Sequence, residues 1–337
     1  MFLYSRKSRI ALVGAAIAMA ITMAGCSSPA VTEKPGGDKS SAPTPTQEPI
    51  DIVAGVATSM SSINLLIGIE KGFFKEQGLN VTRVPVQTGA AGVTQLVSNQ
   101  IQVALGGLSG TITAVSTGIP IVFVSGGIAD TTSPEGTWYG TLVAPDSGIK
   151  SFKDLAGKKV ALNSVNCCWD FWTRESVEKA GGDQSKLQMV QLPFAQQAAA
   201  LKAGQVDAIT TQQPFVKQAE LQGFISLGDP AAIAYDNPKN GNTNYFMAKQ
   251  FVDDHPDVVK RWRAALQKSA DYANAHPDEV RKVAIDIVKL DPALVAASPT
   301  PNYVAALDTD AIKKEASWLV KYGVIPTAPD VKSMIVP

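Results

Sequence analysis

The chain has 337 residues, of which 45% are hydrophobic and 18% charged, and its 30 basic residues are matched by 30 acidic ones. Such a length holds two α/β lobes, and such a balance leaves no basic footprint for nucleic acid. The three cysteines, Cys26, Cys167 and Cys168, make no CxxC pair and no disulfide framework, which argues against a stapled mini-fold and against a zinc site.

Arg6, Lys7 and Arg9 precede an apolar stretch over 10–20 that is too short to span a bilayer with the usual flanks. It runs into Thr22-Met23-Ala24-Gly25-Cys26, which resembles a bacterial lipoprotein signal peptide with its lipobox; Met23 stands where Leu or another aliphatic residue is common. The resemblance implies that residues 1–25 are removed and that Cys26 is lipidated and becomes the first residue. An ordinary secretory signal or an uncleaved anchor is the alternative. Residues 26–49 are mostly Ser, Pro, Thr, Gly, Lys and Glu without an apolar period, and they read as a flexible tether.

From residue 50 onward strands alternate with helices. Residues 50–56 alternate as a strand, and Ser61 is placed to cap a helix over 63–71. A second strand over 80–86 is broken late by Pro85, and a small-residue turn at 87–92 leads into a helix ending near 98. A strand over 102–106, a turn at 107–110, a helix over 111–117 and a strand over 120–126 follow. This spacing predicts parallel βαβ units. A strand over 138–144 is expected to cross into a second lobe, where Ser151 caps a short helix. There the expected strands are 187–192, 208–211 and 224–227, with helices over 195–202 and 213–222, and 244–248 is read as the strand crossing back.

Residues 158–180, KKVALNSVNCCWDFWTRESVEKA, organise the second lobe. A short strand leads through a polar turn into a helix whose face of Trp169, Trp172, Thr173, Ser176 and Val177 opposes Arg174, Glu175, Glu178 and Lys179. Ser164 and Asn166 are the candidate caps. Ligands of open α/β sheets bind outside the carboxyl ends of strands, where helices begin, so this turn is read as half of a cleft. The alternative is that Cys167, Cys168 and Trp169 are core residues at a helix start. The two thiols are read as either free or joined in a vicinal disulfide.

An internal repeat supports two similar lobes: LVSNQIQVA at 96–104 aligns with LKAGQVDAI at 201–209, at an offset of 105. Residues 251–337 read as mainly helical. The only histidines, His255 and His276, each precede Pro and Asp, and this pattern suits a helix start better than a base or a metal ligand.

Three stretches carry a family resemblance. EKGFFKEQGLNV at 70–81 resembles the GFF-x-x-x-GL-x-V stretch of substrate-binding proteins of ABC importers, in the subgroup for aliphatic sulfonates, taurine, nitrate and the pyrimidine precursor of thiamine. SFKDLAGKKV at 151–160 resembles the family's S-x-x-DL-x-GK-x-V, and AGQVDA at 203–208 its G-x-V-DA; the first-lobe counterpart has Gln102 where the family often has Asp. The resemblance spans about residues 50–275 and implies an α/β, type II periplasmic-binding-protein fold. It implies one lobe from 50–140 with 245–337 and another from 141–244, joined by a two-segment hinge near 138–142 and 243–246.

The same resemblance implies ligand contacts at helix starts facing the cleft. Carried onto this chain these are Ser59, Met60, Ser61, Thr88, Gly89 and Ala90, then Ser109, Gly110 and Thr111. On the second lobe they are Asn166, Cys167, Cys168, Trp169, Gln212 and Gln213. None is Arg or Lys, so N–H groups and hydroxyls would hold an anion, while Trp138, Tyr139, Trp169 and Tyr245 would stack on a flat ring. The implied function is that of an extracytoplasmic, lipid-anchored solute-binding lipoprotein. It would deliver a small organic or anionic ligand, such as a sulfonate, nitrate or a pyrimidine-like compound, to an ABC permease complex.

Other classes fit less well. Ser109 misses the nucleophile-elbow spacing, and no HExxH, P-loop or dinucleotide fingerprint is present, so no catalysis, metal or cofactor is expected. The thiamine-pyrimidine synthases of the same fold carry a cysteine-rich motif that Asn166-Cys167-Cys168-Trp169 resembles in part. They are intracellular, which an exported chain is not. A signalling or adhesion domain with a dead cleft is the third class.

Overall fold

A computed structural model of the chain describes residues 48–86, 89–129, 132–133 and 136–337. The signal segment, Cys26, nearly all of the tether and Thr88 lie outside these residues. Among the described residues no helix is long and apolar enough to cross a membrane.

Ten strands form the two main sheets: β1 (Ile50–Val56), β2 (Leu79–Pro85), β3 (Val103–Gly107), β4 (Ile121–Gly126), β5 (Tyr139–Val143), β6 (Lys159–Leu162), β7 (Gln188–Gln191), β8 (Ala208–Gln212), β9 (Ile225–Gly228) and β10 (Thr243–Ala248). The first sheet has the order β2-β1-β3-β10-β4 and the second β7-β6-β8-β5-β9. β10 runs antiparallel to β3 and β4, and β5 runs antiparallel to β8 and β9. Each sheet therefore takes its fourth strand from the far side of a crossing, at the same place and in the same sense. The chain passes between the sheets twice, from Gly126 to Tyr139 and from Gly228 to Thr243.

The helices of the first half are α1 (Ile63–Glu70), α2 (Phe73–Glu76), α3 (Gly89–Val97) and α4 (Leu108–Ser116). Those of the second sheet's region are α5 (Cys168–Lys179), α6 (Phe194–Lys202), α7 (Phe215–Leu221) and α8 (Pro230–Tyr235). The repeat is closer in structure than in sequence. Both ends of α3 and of β3 recur 105 residues later as the ends of α6 and β8, and the last residue of α4 recurs as the last of α7.

The C-terminal part is helical as expected: α9 (Lys249–Asp254), α10 (Val258–Ala275), α11 (Pro277–Asp286), α12 (Pro292–Ala297) and α13 (Thr309–Lys321). Both His-Pro-Asp copies lie at helix starts. His276 is the N-cap of α11 with Pro277 at its first turn, whereas α10 starts later, with Asp257 as N-cap. α10 anchors the first sheet. Trp262 is fully buried, with ring centroids 5.0 Å from Phe74 and 5.4 Å from Tyr245, and its Nε1–H donates to Ser125 at 3.0 Å. Burying each such side chain contributes about 1.5–3 kcal/mol. α1 must lie close to α10, since a Cβ on Gly68 would meet Ser269 Oγ at 2.6 Å; Gly72, at φ 78, then ends the turn after α1.

Two cap readings change. Ser61 is not a cap: the residue before α1 is Ser62, whose hydroxyl donates to Ala57 and Ser59 carbonyls. α5 begins at Cys168 with Cys167 as N-cap, and neither Ser164 nor Asn166 caps it; instead Asp170 accepts the Asn166 N–H at 3.0 Å. The polar face of α5 also differs from expectation. Glu175 is buried because α13 covers it, with Lys321 Nζ at 2.6 Å and Tyr322 Oη at 2.7 Å donating to its carboxylate.

Candidate functional site

A cavity of about 440 Å³ opens at the carboxyl ends of the strands of both sheets. That is within the usual range for small-molecule sites, about 300–1,000 Å³. The first lobe contributes Thr58, Ser59, Ser61, Gly89, Gly106 and Gly107, and the second Asn163, Trp169, Phe194, Gln212, Gln213 and Phe215. Three positions of one wall recur in the other at the offset of 105: Thr58 with Asn163, Gly89 with Phe194, and Gly107 with Gln212. The repeat thus presents equivalent turns to one cavity from two sides, with unlike chemistry. The first wall combines the hydroxyls of Thr58, Ser59 and Ser61 and the bare backbone of three glycines with the aliphatic side chains of Met60, Val86 and Leu105; the second is mainly aromatic and amide.

Among the described residues no lining residue is charged. A fixed charge touches the lining through Thr58: Arg83, on β2, whose Nη2 donates to Thr58 Oγ1 at 2.6 Å. Its Nε is buried without a hydrogen-bond partner. Among the described residues no carboxylate lies within ion-pair distance of Arg83.

Of the residues expected at the site, Ser59, Met60, Ser61, Gly89, Trp169, Gln212 and Gln213 are brought to the cavity. Gln213 spends its amide on the frame, donating to Thr137 O at 2.9 Å and accepting from Lys217 N at 3.3 Å. Ala90 and Gly110 are exposed outside the lining, and Asn166 is exposed at the turn before α5 with φ 56. Ser109 and Thr111 lie inside the protein, because α4 starts at Leu108 and places both on its buried side. Thr111 Oγ1 turns back to Gly107 O at 3.3 Å.

Cys167 and Cys168 stand behind the cavity as free thiols, and neither is in the lining. Cys167 Sγ donates to Ser164 O at 3.1 Å, and Cys168 Sγ sits 3.9 Å from where a Cβ on Gly107 would lie. A hydrogen bond with Cys167, together with burial, pushes the Cys168 thiol up, so it is held protonated. Beside it is Glu315 of α13, fully buried, which accepts from Ser109 Oγ of α4 and from Tyr235 Oη of α8 at 2.6 Å. Burial raises Glu315 to about 7.

The aromatic expectation needs correction. Trp138, Tyr139 and Tyr245 are buried and are not in the lining; Tyr139 Oη donates to Asn242 at 2.9 Å and Tyr245 packs on Trp262. Trp169 does both jobs, lining the cavity while its ring centroid lies 5.2 Å from Tyr139 and 5.2 Å from Trp172. Phe194 and Phe215 were missed. They extend the wall, with Phe194 centroids 5.1 Å from Trp169 and 5.8 Å from Phe215, the last pair nearly parallel at 21°. The offset of 105 from Gly89 is the signal that marks Phe194.

Comparisons with known proteins agree with this geometry. The sequence model of the family described as NMT1/THI5 like matches residues 59–280. A protein of Bacillus subtilis (strain 168), named as a candidate aliphatic sulfonates-binding protein, is 26% identical over 251 residues, which is 73% of this chain and 72% of that protein. The periplasmic aliphatic sulphonate binding protein SsuA from Escherichia coli superposes with a TM-score of 0.70 at 18% identity, covering 86% of this chain and 93% of that one. The alkanesulfonate-binding protein SsuA from Xanthomonas axonopodis pv. citri, bound to MOPS, gives 0.66 at 18% identity over 86% and 99% of the two chains. The two-lobed periplasmic-binding-protein fold is therefore the fold of this chain.

Proposed function

From the premise that this chain belongs to the NMT1/THI5-like family, we propose that it is an extracytoplasmic solute-binding protein that hands a small organic or anionic ligand to an ABC import complex. One observation carries the reading: an uncharged cavity of about 440 Å³ is shared by two lobes of the same topology, with equivalent turns on either side. Such a site binds by enclosing its ligand. Among the described residues no lining side chain is an acid, a base or a thiol; Glu315 is engaged by Ser109 and Tyr235, Asp170 by Asn166 N–H and Arg174, and the thiols lie outside the lining. The synthase-like reading through Cys167 and Cys168 has no such support.

The test is recovery of ligand. A compound at about 100 times its dissociation constant should raise stability by about 2.7 kcal/mol, read as a melting shift, and should be recovered chemically unchanged. Multiple turnovers of a bound compound would replace the binder with an enzyme. The lipid anchor belongs to the same proposal and rests on Ala24-Gly25-Cys26 after an apolar stretch. Cys26→Ser should leave the protein unprocessed or release it to the soluble fraction. An unmodified Cys26 in wild-type protein, found by mass spectrometry, removes the anchor.

A further inference from the structure

The two walls of the cavity divide the work of recognition, and this division names a ligand class. The second wall is an aromatic surface made by Trp169, Phe194 and Phe215, with Phe194 and Phe215 half-buried and open to the cavity. Aromatic faces bind rings edge-on or offset, worth about 0.5–1.5 kcal/mol beyond the area covered. The facing wall carries no side chain at Gly89, Gly106 or Gly107, and a Cβ on Gly89 would lie 3.9 Å from Gly106 Cα. Gly106 is bare because the Phe246 ring would meet a Cβ there at 3.0 Å, whereas a Cβ on Gly89 or Gly107 would meet nothing nearer than 3.9 Å, so these two positions leave room for a flat body against the backbone.

The first wall's hydroxyls are those of Thr58, Ser59 and Ser61. Immediately behind Thr58 is Arg83, a guanidinium with five donors, of which one is used on Thr58 and the Nε is buried and unmatched. A cation partly withdrawn from water without a counter-charge is unfavourable. Among the described residues the chain provides no carboxylate to it, and Thr58, which it holds, lines the ligand cavity. The missing charge is one that the ligand can bring.

Resting on the solute-binding reading above, we infer that the ligand is an aromatic anion, a planar ring bearing a carboxylate or sulfonate, with its ring against Phe194 and Phe215 and its head toward Ser59, Ser61 and Arg83. A small inorganic anion would leave the aromatic wall uncovered. An ammonium-bearing sulfonate finds no carboxylate among the described lining residues. A quaternary ammonium would suit the rings alone, since aromatic cages bind such cations, but would meet Arg83 with like charge.

Calorimetry on the purified full chain tests this with benzoate, benzenesulfonate, benzamide, nitrate, taurine and choline. One or both aryl anions should bind at least tenfold tighter than the other four, and the better of the two identifies the head. Arg83→Gln should weaken the aryl anion at least fivefold and leave benzamide unchanged. Phe194→Ala, with Phe215→Ala as a second variant, should weaken the aryl anions and leave nitrate unchanged. Preference for choline, nitrate, taurine or benzamide overturns the ligand class while the solute-binding reading stands. An aryl anion bound equally by Arg83→Gln overturns the role of Arg83. If no probe binds, the aryl anion is ruled out, and native mass spectrometry of the purified protein then decides the solute-binding reading by whether a small molecule is carried.

Discussion

At the scale of the residue, Trp169 joins two duties that mutation will separate only in part. Its ring touches Tyr139, Trp172 and Phe194 and is nine-tenths buried, yet it reaches the cavity. Truncating a buried aromatic costs about 3–5 kcal/mol. Trp169→Ala should therefore lower the melting temperature and weaken binding together, whereas Cys167→Ser and Cys168→Ser should leave affinity within twofold, because neither thiol lines the cavity. Calorimetry beside a thermal melt reads both quantities; a tenfold loss of affinity in either serine variant would bring the thiols back into the site. What the sequence revealed of individual residues followed from their neighbours along the chain. Ser59 and Gln212 were legible through the family resemblance, which places ligand contacts at helix starts, and they lie three residues past β1 and at the last residue of β8. Ser109 and Thr111 were not, because α4 begins three residues before the expected start and rotates both inward. Arg83 was invisible for a different reason. It lies on a strand rather than at a turn, and only the folded β1–β2 pairing brings it to Thr58.

At the scale of the element, the alternation of strand and helix was legible from residue 50 to residue 228 with most ends within about three residues, but the short helix α2 was read as a turn and α3 starts at Gly89, inside the turn expected over 87–92. The apolar periods and the glycines were enough for this. Ser151 also behaves as expected before its short helix, where the Asp154 carboxylate accepts from the Ser151 and Lys150 N–H groups at 3.0 Å each. Two features depended on distant partners and so left no local pattern. α8 is a six-residue helix capped by Asp229, too short to show a period. Glu175, with the mark of a solvent-facing residue, is buried because Lys321 and Tyr322 arrive from a helix more than a hundred positions away. α5 is thus covered by α13 at Glu175, while Glu178 and Lys179 of the same face stay exposed. The same contact includes a ring stack between Phe171 and Tyr322 at 5.3 Å.

At the scale of the whole molecule, Glu315 links helices that follow different sheets. Its oxygens are held by Ser109 at the start of α4 and Tyr235 at the end of α8, and Cys168 and Trp172 of α5 stand close by. Burial raises its carboxyl from 4.5 to about 7, so between those values the folded chain holds a proton that the unfolded chain has lost. Stability from this group is greatest below about 4.5 and is lost as pH rises toward 7, by about 1.4 kcal/mol per unit and about 3 kcal/mol in all. Glu315→Gln keeps an acceptor and a hydrogen-bonding shape without the ionisation. The wild type should therefore lose more stability than Glu315→Gln between pH 5 and pH 7.5, as measured by denaturant melts. Parallel pH profiles for the two proteins would mean that the carboxyl is not desolvated.

The place of β10 also sets an order in time. It lies inside the first sheet, between β3 and β4, yet it is made only at residues 243–248, after every strand of the second sheet. A growing chain that has reached residue 228 already holds all five strands of the second sheet, in one continuous stretch from residue 139. At that moment β4 has no neighbour in its own sheet, since its partner β10 has not been made. The half of the protein that is written first is thus completed last, and any nascent or threading chain must carry β4 unpaired until its partner arrives.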